Sequence, residues 1–346
     1  MHSSSRGTIP MESRPTEPCE SVRLALQAMA TRFEVLLYGP RASALRAAAE
    51  DALAEVARLE ARLSLYRPDS DIARLNRARA EQPVRLLPEV WQLLRRARDL
   101  SEATEGAFDI TVAPLLECWG FLTGIGRRPS PEAVADALER VGSRYLELDA
   151  STWTARLLRA GMKVDLGGIG KGYAIEQAVE VLRQAGITSA LIHGGTSSVY
   201  GLGSPPDMPA WQVAVEPPPE LRRTNTAPLA VVTLQNRALS VSAVWGRAFA
   251  DAEGLVGHVL DPRTGRPVAG TVLAATVTAS PTDADALSTA LLVLGENGLK
   301  RLKSRWPDLQ ALVLSRHEGT WRLASLDLET TWQPPPAAPD PDESGR

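Results

Sequence analysis

A carboxylate and a hydroxyl stand one helical turn apart in the segment Thr282-Asp283-Ala284-Asp285-Ala286-Leu287-Ser288-Thr289. Asp285 and Thr289 are i and i+4 neighbours, so both side chains would leave a helix in the same direction. A carboxylate with a hydroxyl is a hard, all-oxygen pair of the kind that holds Mg²⁺ beside a substrate phosphate. The segment also fits a helix start, because Thr282 followed by Asp285 is similar to a capping box. Taken alone, the segment leaves the metal site and the helix cap open as alternatives.

A glycine-rich turn lies between a predicted strand and a predicted helix. Four glycines and Lys171 fall within Gly167-Gly168-Ile169-Gly170-Lys171-Gly172, which is more than a plain connection requires. The turn is not a P-loop, because Gly172 stands where Ser or Thr is needed, and it lacks the glycine spacing of a dinucleotide fingerprint. Backbone N–H groups at such a helix start can bind an anion. We therefore favour phosphate or diphosphate binding here, with a purely structural turn as the alternative.

His258 precedes the turn-forming segment Asp261-Pro262-Arg263-Thr264-Gly265. Histidine is the usual general base near neutral pH. The alternative is a packed histidine at a strand end, with the following loop serving only to turn the chain. Phe108 beside Asp109 would suit an adenine or flavin ring, but it would equally suit the edge of a core.

The composition is that of an ordinary globular protein of 346 residues, with 44% hydrophobic and 23% charged residues. The net charge of -3 and the lack of a basic run argue against a nucleic-acid partner. No apolar stretch is long enough to span a bilayer. Two cysteines, Cys19 and Cys118, cannot form a disulfide framework. The N-terminal residues lack the apolar middle of a signal peptide, so we expect a cytoplasmic protein.

Hydrophobic periodicity predicts strands at 32–38, 163–166, 189–192, 211–215, 231–234 and 274–277, a terminal hairpin of 309–314 and 320–323, and helices at 44–63, 88–104, 172–185 and 282–303. Strands and helices do not alternate strictly, so we expect an α/β fold of the mixed α+β kind rather than a doubly wound sheet. We expect a disordered N-terminal segment at 1–21, one domain at 22–333 and a disordered proline-rich tail at 334–346.

Six motifs follow one another in a fixed order: Met29-Ala30-Thr31-Arg32-Phe33, Tyr66 to Asn76, Gly106-Ala107-Phe108-Asp109-Ile110-Thr111, Asp165 to Tyr173, His258 to Pro267, and Asp285 to Thr289. They cover Met29 to Leu302, and together they resemble the FAD:protein FMN transferase family, also called the ApbE family and formerly the thiamine biosynthesis lipoprotein family. No single motif is specific, but six in order are hard to produce by chance.

The resemblance implies a T-fold-like ApbE architecture of two closely packed lobes with the flavin site between them. It implies Mg²⁺ as cofactor and FAD as substrate, with FMN moved from FAD to a threonine or serine hydroxyl of a target protein and AMP released. By motif position, the metal ligands would be Asp285, Thr289 and the carbonyl of Gly170. The FAD-contacting residues would be Met29, Tyr66, Ala107, Phe108, Asp109, Gly167, Lys171, Tyr173 and His258, and His258 would be the catalytic base.

Three segments depart from the pattern of the family. Val241-Ser242-Ala243 stands where T-S-G is usual, Gly195-Thr196-Ser197 aligns with G-G-D/N, and Glu176 replaces an Asp. Two other functions therefore stay open beside the transferase. One is a Mg²⁺-dependent FAD pyrophosphatase that gives FMN and AMP, and the other is a flavin-binding protein without turnover.

Overall fold

The computed structural model describes residues 19–222, 227–252 and 254–332. The strands in these ranges are β1 (Glu20–Ala28), β2 (Thr31–Gly39), β3 (Val84–Arg85), β4 (Leu146–Asp149), β5 (Thr154–Leu157), β6 (Ser189–Gly194), β7 (Ser198–Leu202), β8 (Trp211–Val215), β9 (Ala230–Leu234), β10 (Arg237–Ala243), β11 (Ala248–Asp251), β12 (Gly254–Gly257), β13 (Thr271–Thr278), β14 (Gln310–His317) and β15 (Thr320–Leu326). The helices are α1 (Ala42–Leu63), α2 (Asp71–Arg77), α3 (Pro88–Ala103), α4 (Ala113–Cys118), α5 (Pro131–Leu138), α6 (Gly170–Gln184), α7 (Pro219–Arg222), α8 (Pro281–Leu294) and α9 (Glu296–Arg305).

The main sheet has eight strands in the order β1-β2-β6-β7-β10-β13-β14-β15. Every neighbouring pair in it is antiparallel. Helices α1, α6 and α8 pack together on one face, and α8 lies directly over β10 and β13. The prediction of a mixed α/β fold without a doubly wound sheet is thus confirmed.

Successive residues of a strand point to opposite faces of the sheet, so alternate residues of β2 enter two different hydrophobic cores. Phe33, Val35 and Leu37 of β2 are fully buried in the core beneath the helices. Leu36 and Tyr38 point to the opposite face and pack in a second core with the β8–β9 hairpin. Burying one such leucine or phenylalanine contributes about 1.5–3 kcal/mol relative to exposure. The two-residue period therefore fixes the sheet between two apolar layers.

A smaller apolar cluster forms a second lobe. It joins α4, α5 and the β11–β12 ribbon through Leu115, Trp119, Phe121 and Val256. The 261–265 loop docks on this cluster, because Trp119 Nε1 donates to the Gly265 carbonyl at 2.9 Å. Gly265 has a φ of 69°, and a Cβ there would lie 2.6 Å from Val134, so glycine is required at this contact.

The strand predicted at 163–166 is wrong. The segment has no strand partner among the described residues, because a side chain takes the place of one. Asn76 Nδ2 donates to the Val164 carbonyl at 2.8 Å, and the Val164 N–H donates to Asn76 Oδ1 at 2.7 Å. The N–H of Asp165 donates to the Ile110 carbonyl at 2.7 Å. These bonds fix the entry to the glycine turn without a sheet.

The single helix predicted at 282–303 is also wrong, because Gly295 divides it into α8 and α9. Gly295 has a φ of 62° and a ψ of -154°, which ends α8. Its N–H donates to the Leu291 carbonyl at 2.8 Å. The hydrophobic period continues across the break, so the periodicity alone could not reveal it.

The chain ends differ in part from the predicted boundaries. Strand β1 begins at Glu20, two residues before the boundary predicted at residue 22. The rest of the predicted N-terminal segment, up to residue 18, and the tail from residue 333 lie outside the described residues. Within the described ranges, none of the helices is long and apolar enough to cross a membrane.

Candidate active site

Asp285 is the buried centre of the site, with only 3% of its surface exposed. Its Oδ2 accepts the N–H of Gly172, in the first turn of α6, at 2.9 Å. Its Oδ1 accepts the hydroxyls of Ser198 and Ser240, each at 3.3 Å. A buried carboxylate is costly unless it is hydrogen-bonded or paired, and here three neutral donors and the Lys171 ammonium group supply that compensation.

Those hydroxyls come from one transverse row of the main sheet. Ser198 of β7 pairs with Ser240 of β10, and Ser240 pairs with Thr276 of β13. All three therefore face α8, and Thr276 Oγ1 donates to the Ala284 carbonyl of α8 at 2.8 Å. The row fixes both the helix and the carboxylate that it carries.

Thr289 lies one turn after Asp285, as the spacing predicts. Its hydroxyl is 3.3 Å from the Asp285 carbonyl and 3.2 Å from Ser242 Oγ. Ser242 also contacts Ser288 Oγ at 2.8 Å. The altered 241–243 segment therefore retains, through Ser242, a direct hydrogen bond to the predicted metal ligand.

The capping interpretation of this segment is wrong. Helix α8 begins at Pro281, and its N-cap is Ser280, whose Oγ accepts the N–H of Asp283. Thr282 Oγ1 is buried and has no hydrogen-bond partner within the described residues. Asp285 is thus not a cap of α8, and its carboxylate instead accepts the N–H of Gly172 in the first turn of α6.

The start of α8 is held by an ionic cluster from three helices. Arg96 of α3 pairs with Glu176 of α6 at 2.8 Å and with Asp283 at 2.9 Å. Glu176 accepts the Ser280 hydroxyl at 2.6 Å. Burial opposes ionisation of Glu176, but Arg96 and these hydrogen bonds lower its pKa below the ordinary value. Glu176, which stands where the family usually has Asp, therefore helps to hold α8, the helix that carries Asp285.

The glycine turn requires glycine for close approach rather than for unusual backbone angles. Its four glycines all lie outside the positive-φ region. A Cβ on Gly172 would lie 2.2 Å from the Pro281 carbonyl oxygen and 2.7 Å from Asp285 Cβ, so α6 could not pack on α8. A Cβ on Gly168 would lie 3.3 Å from both Thr289 Oγ1 and the Phe108 ring. Gly170 is buried in the first turn of α6, and a Cβ there would meet only Leu166, at 3.9 Å.

Lys171 and Asp165 bring charge to the same turn. Lys171 Nζ lies 3.7 Å from Asp285 Oδ1 and 3.4 Å from the Gly167 carbonyl oxygen. Asp165 Oδ1 accepts the N–H of Gly167 at 2.6 Å. Burial raises the pKa of the Asp165 carboxyl above its ordinary value, although the Gly167 N–H and the charges of Arg247 and Lys171 act in the opposite direction.

His258 belongs to the second lobe, directly after β12. Its Nδ1 is 3.0 Å from the Arg247 carbonyl oxygen, and its own N–H donates to the same oxygen. Because a carbonyl only accepts, Nδ1 carries the proton and the neutral ring leaves Nε2 free as a base. Burial lowers the pKa of His258, and the charges of Arg247 and Lys171 lower it further, against the Arg247 hydrogen bond. The charge of Lys171 thus acts on both Asp165 and His258.

Met29 and Tyr66 lie at loop positions suited to a large ligand. Met29 is in the β1–β2 turn with a φ of 50°, and its N–H donates to Glu60 Oε1 at 2.7 Å. Tyr66 follows α1 and is 65% exposed, so its ring offers a free apolar face. Nothing in the contacts of these two residues ties them to Asp285, and their flavin role stays a prediction.

Four predicted flavin contacts are more buried. Ala107 and Phe108 are almost fully buried, with the Phe108 ring beside Gly168. The Asp109 carboxylate accepts bonds from Thr111, Ser143 and Ser101, so a ligand would meet this residue through its main chain. Tyr173 packs in the main core, where burial raises its pKa to about 12, and its hydroxyl contacts the Glu89 carbonyl.

The oxygen donors at Asp285 fit a magnesium ion that is shared with a substrate. The described residues contain no group of three or more His, Cys, Asp or Glu side chains that could hold a metal alone. Mg²⁺ is commonly held by one or two carboxylates together with substrate phosphates. Asp285 and the Thr289 hydroxyl supply such a partial set, and the missing side chain of Gly168 leaves space beside Thr289.

Several residues of this site carried no signal in the sequence. Ser198 and Ser240 reach Asp285 from strands that are distant in the chain, and Asp165 stands out in the sequence only as part of a motif. The serines at 240 and 242 share one strand face, which is the one local sign of a polar lining.

Comparison with known proteins identifies the family. The model of the ApbE family matches residues 29–313. The FAD:protein FMN transferase of Haemophilus influenzae is 32% identical over 248 residues, 69% of this chain and 70% of that protein. That of Treponema pallidum is 30% identical over 299 residues, 82% of each. The crystal structure of the ApbE protein from Thermotoga maritima superposes with a TM-score of 0.80 at 26% identity, over 89% of this chain and 97% of that one.

The match spans most of the chain, and the chain belongs to the ApbE family. The resemblance drawn from the six motifs is thereby confirmed. None of these comparisons assigns a role to an individual residue of this site, so the roles argued from its geometry are proposals.

Proposed function

We propose that this protein is an enzyme that transfers the FMN moiety of FAD to a threonine or serine hydroxyl of a target protein, with release of AMP. The observation that carries the proposal is that the charge of Lys171, which lies 3.7 Å from Asp285, also acts on His258. Asp285 is buried beside Thr289 and Lys171 in one lobe, and His258 presents a free Nε2 from the other. Relatives named FAD:protein FMN transferase support it.

The reaction needs one proton transfer and one phosphoryl substitution. The acceptor hydroxyl oxygen attacks the phosphorus of the FMN half, the bond between the two phosphates breaks, and AMP leaves with the bridging oxygen. His258 Nε2 takes the hydroxyl proton, because Nδ1 is already committed to the Arg247 carbonyl. The lowered pKa keeps His258 neutral and ready to accept that proton at neutral pH.

Binding of the diphosphate falls to the first turn of α6 and to Lys171. A helix N-terminus favours an anion through its dipole, although here the N–H of Gly170 donates to the Leu166 carbonyl and that of Gly172 donates to Asp285. The isoalloxazine and adenine rings would find apolar surface at Tyr66 and Met29.

Magnesium would be held by Asp285, Thr289 and the Gly170 carbonyl. When bound, Mg²⁺ neutralises charge that develops on the diphosphate. Mg²⁺ is the cofactor in this proposal because these three groups can bind it. The hydroxyls of Ser198 and Ser240 orient the Asp285 carboxylate for the metal.

Product analysis distinguishes this function from the two alternatives. The protein is incubated with FAD and Mg²⁺, with and without an unflavinylated protein that normally carries FMN on a threonine. Flavin that stays on the acceptor after denaturation supports the transferase. Free FMN and AMP in equal amounts, formed whether or not the acceptor is present, support the pyrophosphatase. Tightly bound, unreacted FAD supports a flavin-binding protein and overturns the proposal.

A further inference from the structure

Lys171 stands beside the buried carboxylate of the site. Its Nζ is 3.7 Å from Asp285 Oδ1, and the two side chains are 23% and 4% exposed. Among the described residues, Lys171 is the one Lys, Arg or His within 4.0 Å of this carboxylate. The other donors to it, Gly172, Ser198 and Ser240, are neutral. Lys171 therefore supplies the positive charge that balances Asp285.

A metal ion on the same oxygen would compete with that ammonium group. Mg²⁺ binds oxygen ligands at roughly 2.0–2.1 Å, so an ion held by this carboxylate would lie close to Lys171 Nζ. Two cations so close repel each other strongly in a site shielded from water. The lysine stem is long and flexible, so its ammonium can move to another anion nearby.

We infer that Lys171 is a counter-ion that competes with the metal for Asp285 and thereby makes metal binding depend on FAD. The inference rests on the proposed function, because the FAD diphosphate is the second anion that receives Lys171. With FAD bound, the ammonium shifts to the diphosphate and Asp285 is released to the metal. Metal and FAD then bind with positive coupling, and each raises the affinity of the other by the same factor.

The test measures metal binding to the protein without FAD. Mn²⁺ serves as the probe, and free Mn²⁺ is followed by its electron paramagnetic resonance signal. Lys171→Met removes the charge and keeps the length of the side chain. We expect its Kd for Mn²⁺ to fall at least about tenfold, which corresponds to about 1.4 kcal/mol. Lys171→Arg keeps the charge and should bind Mn²⁺ as weakly as the wild type.

A matched control is available at Lys163, which pairs with Glu117 at 2.5 Å, away from Asp285. Lys163→Met should leave Mn²⁺ binding within about twofold of the wild type, since that charge does not face the site. In metal-free buffer, Lys171→Met should bind FAD more weakly, as measured by quenching of flavin fluorescence. Thermal melting of each variant shows that it is folded.

The outcomes separate this inference from the proposed function. Unchanged or weaker Mn²⁺ binding in folded Lys171→Met overturns the competition. If Asp285→Asn abolishes Mn²⁺ binding in the same experiment, the metal site itself stands. If Asp285→Asn binds Mn²⁺ as well as the wild type does, both the metal site and the competition are wrong.

Discussion

Replacing His258 by asparagine should remove the catalytic base while keeping the hydrogen bond that holds the side chain in place. Asparagine can place its side-chain amide near the position of Nδ1, where an N–H donates to the Arg247 carbonyl, now 3.0 Å away. It has no group that corresponds to Nε2. We therefore expect the rate of FMN transfer to fall by about 10²–10⁴-fold, a change of about 2.7–5.5 kcal/mol in the activation barrier.

The pH dependence provides a second, independent readout of His258. Burial lowers the pKa of this histidine from 6.5, and the charges of Arg247 and Lys171 add to the effect. Protonation at Nε2 destroys the base, so activity should be lost as pH falls through a midpoint below 6.5 and should be constant above it. The kcat/KM profile reports the pKa of the free enzyme.

The assay follows flavin bound covalently to the acceptor over a range of pH for the wild type and His258→Asn. His317→Asn is the control, since His317 lies in the β14–β15 hairpin and is exposed. FAD affinity should fall less than turnover in His258→Asn. Near-normal transfer in this variant, or an acid midpoint above 6.5 in the wild type, would refute the role of His258 as base.

Two further predictions concern the packing that positions the site. Gly172→Ala should lower the melting temperature and weaken metal binding, because its Cβ would meet the Pro281 carbonyl oxygen at 2.2 Å, and overpacking typically costs about 1–3 kcal/mol. Gly170→Ala is the matched control, since its Cβ meets no atom closer than 3.9 Å, and its stability should stay within about 1 kcal/mol of the wild type. Asn76→Ala should lose both hydrogen bonds to Val164, at about 1–3 kcal/mol for each buried group left unpaired. Denaturant unfolding measures all three, and a neutral Asn76→Ala would show that the glycine turn does not depend on this side chain.

Helices and strands could be predicted where the hydrophobic pattern of a single segment determines them. The apolar period of α1, with Leu45, Val56 and Leu59 on one stripe, predicts a helix because that stripe must be buried. The i, i+4 spacing places Asp285 and Thr289 together for the same reason. These predictions needed no knowledge of distant residues.

Contacts between distant segments could not be predicted in this way. The hydroxyls of Ser198 and Ser240 meet Asp285 only because β7 and β10 become neighbours in the sheet. Asn76 replaces a strand partner of Val164 across 88 residues of chain. Such pairings depend on strand register and tertiary packing, and the hydrophobic period of a single segment does not reveal them.

The central claim is that Asp285 and His258 together support transfer of FMN to a protein hydroxyl. The most direct test is the intact mass of the acceptor protein after incubation with FAD, Mg²⁺ and enzyme. Wild-type enzyme should add the mass of one FMN less one water, whereas Asp285→Asn and acceptor lacking its threonine should add nothing. An acceptor that gains no mass while FAD is consumed, or one that gains the same mass with Asp285→Asn, would contradict the account.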